Sequence, residues 1–167
     1  MHAFGWLRRS PSDPQRRPDR PAMGRAGLGG YAGDYPGPGS APLQLQYAPH
    51  PDGHPDPGEV VWSWVPFEED HTHGKDRPVL IIGRDHDLLL GLMLTSKDHD
   101  RDAAEEARHG RHWMDVGAGD WDGRHRPSEV RLDRILRLRS DAVRREGTAL
   151  SRAVYDQLAA AVLARRR

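Results

Sequence analysis

The sequence predicts a mainly β fold, a small antiparallel barrel with a packed C-terminal helix. Three observations carry this. Apolar residues between Glu59 and Leu94 follow the period of two of a pleated strand. Five or six such short segments fall within about 80 residues, the density of a small all-β domain. After Ser151 the apolar spacing changes to three and four residues, the period of a helix.

In chain order, Val60, Trp62 and Trp64 alternate with Val61, Ser63 and Val65 in a first strand. Leu80 to Ile82 and Leu88 to Leu94 behave likewise, and Gly83-Arg84-Asp85-His86-Asp87 between them supplies a turn. A chain that reverses about His86 brings residues equidistant from it face to face, which sets Arg77 opposite Thr95. Opposed residues in such a ladder have Cβ atoms about 4.5–5.5 Å apart, so a guanidinium and a hydroxyl could reach one small group. A slip of one residue would turn Thr95 to the other face. Lys97 to Gly110 is polar and without a period, a long exposed loop with one helical turn. His112 to Val116 returns as a strand, Gly117, Gly119 and Gly123 punctuate the next connection, and Ser128 to Leu138 carries a last strand pair. Asp141 to Glu146 reads as a short helix. Ser151 then caps a helix in which Val154, Leu158, Ala161 and Val162 share a face and Arg165 to Arg167 sit at the cation-favouring end.

Composition divides the chain. Residues 1–58 hold 11 of the 14 prolines and 10 of the 18 glycines. Such a segment buries too little apolar surface to offset the entropy lost on ordering. Residues 1–56 are therefore expected to be a disordered Pro/Gly/Arg-rich tail, with Met23 an alternative start, and 57–167 the folded domain. The absence of cysteine excludes a disulfide framework and thiolate chemistry. No apolar run approaches the roughly 18 residues of a membrane span, so a soluble, cytoplasmic protein without a membrane partner is expected. Net charge is zero. Residues 58–139 carry 13 Lys/Arg against 17 Asp/Glu, so any nucleic-acid contact must come from a local basic patch rather than a basic domain.

Arg77 is the first candidate for chemistry, because its planar fork of donors matches phosphate oxygens. The plain alternative is an ion pair with Asp76 or with the Glu68-Glu69-Asp70 run. Thr95 has its own plain alternative, a hydroxyl that satisfies a backbone group. His71 and His73 are possible helpers in the loop before Arg77. Trp62, Trp64, Trp113 and Trp121 could stack bases; Trp121, between Asp120 and Asp122, is expected to be the exposed one. His71-x-His73, Asp85-His86-Asp87 and Asp98-His99-Asp100 offer many metal-ligand types, but none matches a known signature such as HExxH.

The order GEVVW, a polar loop, RPVLII and an apolar strand ending LTS, followed by Ser128-Glu-Val-Arg-Leu-Asp-Arg-Ile, resembles the MazF/PemK family of toxin endoribonucleases over about residues 58–165. The resemblance implies an SH3-like barrel and a metal-independent endoribonuclease acting on single-stranded RNA through 2′-hydroxyl attack. It implies Arg77 and Thr95 as catalytic residues, with Ser96, Lys75, Lys97 and Trp121 at the substrate, and no cofactor. It also implies a homodimer and a cognate antitoxin peptide. Two stretches depart from the family pattern. The loop from Phe67 to Asp76 carries Glu68, Glu69, Asp70 and Asp76 against Lys75, and the late motif reads Leu-Asp-Arg-Ile-Leu where the family commonly shows Leu-Asp-Gln-Ile-Arg. The alternative they support is a non-catalytic barrel that binds nucleic acid or a protein.

Overall fold

A computed structural model describes residues 30–37 and 42–166, apart from the side chains of 145–147. Its centre is the antiparallel meander the alternation predicts: β2 (Glu59–Pro66), β3 (Gly74–Asp85) and β4 (Leu88–Thr95). β-branched and apolar residues at every second position let β3 bury side chains on both faces. Leu80 and Ile82 join a core with Val60, Leu92, Leu94 and Val130. Val79 and Ile81 join a second one with Val61, Val65, Met93, Leu136 and Leu138. Because both faces are covered, the residues of β4 from Leu89 to Leu94 are all buried instead of alternating between core and solvent.

The β3–β4 hairpin turns on His86 and Asp87, with His86 in the left-handed region at φ 54° and Asp85 paired with Leu88. An irregularity between Ile81 and Gly83 then shifts the register by one residue. Beyond it the pairs run Ile81↔Gly91, Leu80↔Leu92 and Val79↔Met93. The register expected from a reversal centred on His86 thus holds in the half of the hairpin that leads to Arg77 and Thr95, and a bulge restores it there.

The remaining strands are β1 (Tyr31–Asp34), β5 (Trp113–Gly117), β6 (Ser128–Arg131), β7 (Leu136–Arg139) and β8 (Arg144–Ala149). Strand order is β1-β7-β4-β3-β2-β8, with β6 pairing both the end of β4 and β5. The expected mainly β, antiparallel architecture with a C-terminal helix is what the structure shows. The sheet does not close into a complete barrel: β1 and β8 remain edges. The loop after β4 contains a 3₁₀ turn and the short helix α1 (Ala103–Arg108). Helix α2 (Arg152–Ala164) begins as expected, with the Ser151 hydroxyl accepting the N–H of Val154 at 3.4 Å, and buries Tyr155, Leu158 and Val162.

Two expectations need correction. Asp141 to Glu146 forms no helix; a 3₁₀ turn over Ser140–Ala142 leads into β8, which pairs with β2 from Glu59↔Ala149 to Trp62↔Arg144. Nor is the whole of 1–56 a disordered tail. β1 pairs with β7, Leu45 bridges Gly83, and Tyr47 donates its hydroxyl to the Leu150 carbonyl at 2.8 Å. Gly83 permits this approach, since a Cβ there would lie 2.6 Å from the Gln44 carbonyl oxygen. Long-range pairing supplies the order that local composition withholds. Residues 1–29, including Met23, lie outside the described residues. Among those described, no helix is long and apolar enough to cross a membrane.

Candidate active site

Arg77 sits in the first half of β3, opposite Ser63 of β2 and just before Pro78. By alternation from Val79 and Ile81 it shares the face of the second core, at that core's open end. Its guanidinium is partly buried and has no hydrogen-bond or ion-pair partner among the described residues. Burial alone lowers its proton affinity. Of the nearby acids, Asp76 pairs with Arg144 and Glu68 with Arg131 at 2.8 Å, while Glu69 makes no ion pair with Arg77 though both line one cleft. Asp70 is held by the Thr72 hydroxyl and His73, bonds that bring its carboxyl down to about 2.

Thr95 ends β4. The β3–β4 ladder stops at Val79↔Met93, and β4 then pairs with β6 through Leu94↔Val130 and Thr95↔Glu129. Arg77 and Thr95 are therefore not ladder partners. Both lie two residues past the last pair, on the same face by alternation, where the two strands part. The Thr95 hydroxyl oxygen accepts the Lys97 N–H at 3.2 Å, which leaves its proton free to be donated. Ser96 and Lys97 are exposed just beyond it. Lys75 is exposed on β3, its ammonium 5.9 Å from the centre of the Phe67 ring.

Beside Arg77 opens a cleft of about 140 Å³, floored by Val65 and Met93 and walled by Arg77, Arg111, Arg131 and Arg134. Glu68 and Glu69 from the acidic loop stand on its rim. Three of the four guanidiniums are neutralised by carboxylates, Arg111 by Glu106, Arg131 by Glu68 and Asp133, and Arg134 by Asp34, so the cleft is not a net basic patch and Arg77 is its unpaired cation among the described residues. Arg131, 5% exposed, donates to both oxygens of Asp133 and to Glu68. Burial works against its charge, but these bonds more than offset it and hold the proton more tightly. Arg111 donates to Glu106 at 2.8 Å. Arg134, also 5% exposed, donates Nε to both oxygens of Asp34 and Nη1 to the Pro66 carbonyl at 2.8 Å. Its Nη2 is buried without an acceptor. A buried donor left unpaired costs about 1–3 kcal/mol.

Other expected residues fall away from this cleft. Trp121 is not the exposed tryptophan: it is 4% exposed within the first core and donates its indole N–H to the Ser128 hydroxyl at 3.1 Å. Its polar neighbour Asp122 turns back to Arg126 at 2.7 Å. His71 and His73 are exposed. One meets Tyr31 edge-on, with ring centres 5.5 Å apart, and the other lies 2.7 Å from Asp70. Of the metal-ligand types, the carboxylates of Asp98, Asp100 and Glu129 come within 4.8 Å of one another. His99 does not join them as a separate ligand; its Nδ1 lies 2.6 Å from Glu129.

Sequence reasoning missed Arg111, Arg131 and Arg134. A signal for the last two was present: arginines inside the apolar alternation Val130-Arg-Leu-Asp-Arg-Ile135 must either face solvent or find buried partners. A family model described as PemK-like, MazF-like toxin of type II toxin-antitoxin system matches residues 56–164. No curated protein and no solved structure matches the chain significantly.

Proposed function

The chain belongs to the PemK-like, MazF-like toxin family of type II toxin-antitoxin systems, and on that premise we propose that it is a metal-independent endoribonuclease cutting single-stranded RNA. One observation carries the reading. Arg77 presents an unpaired, partly buried guanidinium at a cleft mouth, on the face it shares with Thr95. An arginine with no carboxylate bonded to it is available to an anion.

In this mechanism the 2′-oxygen of a ribose bonds to the adjacent phosphorus as the P–O5′ bond breaks. The products are a 2′,3′-cyclic phosphate and a 5′-hydroxyl. Arg77 stabilises the added negative charge of the pentacoordinate phosphorane and gives the departing 5′-oxygen its proton. Burial eases that transfer by lowering the affinity of the guanidinium for it. The proton released by the 2′-oxygen passes to solvent, from which Arg77 is recharged. Thr95 donates to a non-bridging oxygen, a preorganised contact of the kind that dominates such barriers. This reading assigns Lys75, Ser96 and Lys97, all exposed, to the flanking backbone. The need for a 2′-hydroxyl restricts cutting to a ribose at the cleaved position. Family membership also supports a homodimer, neutralisation by an antitoxin peptide and a cytoplasmic site of action.

A second reading, a non-catalytic relative that binds nucleic acid or protein, is favoured by Glu68 and Glu69 on the cleft rim. Incubating mixed-sequence RNA with the protein in EDTA separates the two. Cutting by the wild type and not by Arg77→Ala supports the nuclease, whereas binding without cutting supports the relative. Cutting that EDTA abolishes overturns the metal-independent mechanism.

A further inference from the structure

We propose that His99 is the general base of the reaction, taking the proton of the attacking 2′-hydroxyl at Nε2 while Glu129 holds the ring. This rests on the reading of Arg77 and Thr95 as the cutting pair and adds the group through which the first proton leaves. Strand pairing puts the imidazole on the face of that pair. Thr95 stands opposite Glu129 in β4–β6, and Trp113 stands opposite Arg131 in β5–β6. Opposed residues share a face, as do residues two apart in one strand, so Thr95, Glu129, Arg131 and Trp113 lie on one side of the sheet. Arg131 lines the cleft with Arg77 and Met93, and Trp113 packs against the second core, at whose open end Arg77 sits. His99 meets Glu129 through Nδ1 at 2.6 Å and stacks on Trp113. Its ring is thus one carboxylate away from Thr95.

The partners of the ring select its role. Glu129 and His99 are only 6% and 9% exposed, and the same Glu129 oxygen also accepts the backbone N–H of His99 at 3.1 Å. A carboxylate accepts, so Nδ1 carries the hydrogen and Nε2 keeps the lone pair. Nε2 has no hydrogen-bond partner among the described residues, and it is not one of their sealed, unpaired polar atoms. An imidazole pinned at one nitrogen by a carboxylate and open at the other is held in the tautomer a general base needs. In the step, the Nε2 lone pair takes the 2′-hydroxyl proton as the 2′-oxygen bonds to phosphorus. The P–O5′ bond breaks, and Arg77 protonates the departing oxygen. The imidazolium, its charge balanced by Glu129, then gives its proton to solvent, and no co-reactant is consumed.

The experiment compares RNA cutting by the full chain and by His99→Gln, which keeps an amide donor for Glu129 and removes the base. The expected result is a kcat lower by about a hundred-fold or more, the scale of a positioned base, with KM unchanged. The same variants are then given RNA with sulfur in place of the bridging 5′-oxygen at a position the wild type cuts. Sulfur leaves without a proton, so the deficit of Arg77→Ala should shrink while that of His99→Gln persists. A folded His99→Gln protein that cuts RNA within three-fold of the wild type overturns the proposal, and so does a deficit that disappears with the sulfur substrate. If His99→Gln does not fold, a protein with His99 methylated at Nε2 decides, since it keeps the Nδ1–H and the stack on Trp113 and loses only the lone pair. Its inactivity supports the base, and wild-type cutting overturns it. Loss of cutting in Arg77→Ala beside full cutting in His99→Gln would sink this proposal alone, whereas a wild type that cuts no RNA would sink the nuclease reading and the base with it.

Discussion

Oε2 of Glu129 lies 2.6 Å from Nδ1 of His99 and accepts the backbone N–H of the same residue at 3.1 Å. The His99 ring stacks on Trp113 at 3.9 Å with the planes 2° apart, and Glu129 stands directly across from Thr95 in the β4–β6 pairing. A buried carboxylate with two donors from one residue closes the loop that follows β4. The end of β4, where Thr95 sits, is thereby fixed from the far side.

Glu129→Ala leaves both His99 donors without their acceptor in a buried setting. The expected loss is about 1.5–3 kcal/mol, the range for hydrogen bonds to charged groups, read from urea unfolding. RNA cutting should fall further than stability alone explains, because the strand end that positions Thr95 loosens. Full activity at reduced stability would detach Glu129 from the site.

Acid sensitivity centres on Asp122. Its hydrogen bonds from Arg126, and those from the backbone N–H groups of Arg124 and Arg126, hold the carboxyl at about 2 against an ordinary 3.8. A carboxyl with a depressed folded value stabilises the fold above the unfolded value, and that contribution disappears as pH falls from about 4 towards 2. In thermal melts, Asp122→Asn should be less stable than the wild type at neutral pH, with the gap narrowing over that interval. A gap that persists undiminished at pH 2 would show that the ion pair is not the source.

The readable parts of the molecule are those whose signal is local. β2, β3 and β4 announce themselves through alternation, and Ser151 with its following apolar spacing announces α2. β1 is hidden because Tyr31–Asp34 sits among glycines and prolines and acquires order only from β7, about a hundred residues away in sequence. β8 is hidden because Arg144–Ala149 takes its order from pairing with β2, more than eighty residues earlier in the sequence. The hairpin alone could put Arg77 and Thr95 on one face, but not show that the ladder ends at Val79 and Met93 and that Thr95 pairs with Glu129 instead. The other cleft arginines come from β6, from the turn between β6 and β7 and from the loop before β5, a convergence that topology creates and spacing does not.

The phenol of Tyr155 donates to the Ile82 carbonyl at 2.7 Å and to the Gln46 carbonyl, tying α2 to β3 and to the segment before β2. Burial pushes its ionisation up to about 12 from 10.0. A raised folded value means a contribution fully present below 10 and lost as pH climbs from 10 towards 12. Tyr155→Phe should cost about 1–2 kcal/mol at neutral pH by removing the donor. It should also flatten the alkaline decline in melting temperature, and a variant that declines as steeply as the wild type would assign that decline to another group.

Arg77→Ala removes a side chain that makes no hydrogen bond or ion pair in the described fold and whose charge is held where burial disfavours it. Stability should therefore be unchanged within about 0.5 kcal/mol or slightly improved, since no bond is lost and a charge is removed from a setting that disfavours it. Catalysis should respond oppositely. Losing a preorganised charge at the phosphorane is expected to cut kcat by about a hundred- to a thousand-fold, the scale set by removal of one oxyanion donor. Thr95→Val keeps the β-branched shape and removes only the hydroxyl, so it should lower kcat by a smaller factor without moving KM. If the two residues act on one phosphate, the double variant should fall well short of the product of the single losses. Fully multiplicative losses would mean that the parting of β3 and β4 beyond Val79 and Met93 keeps them on separate groups.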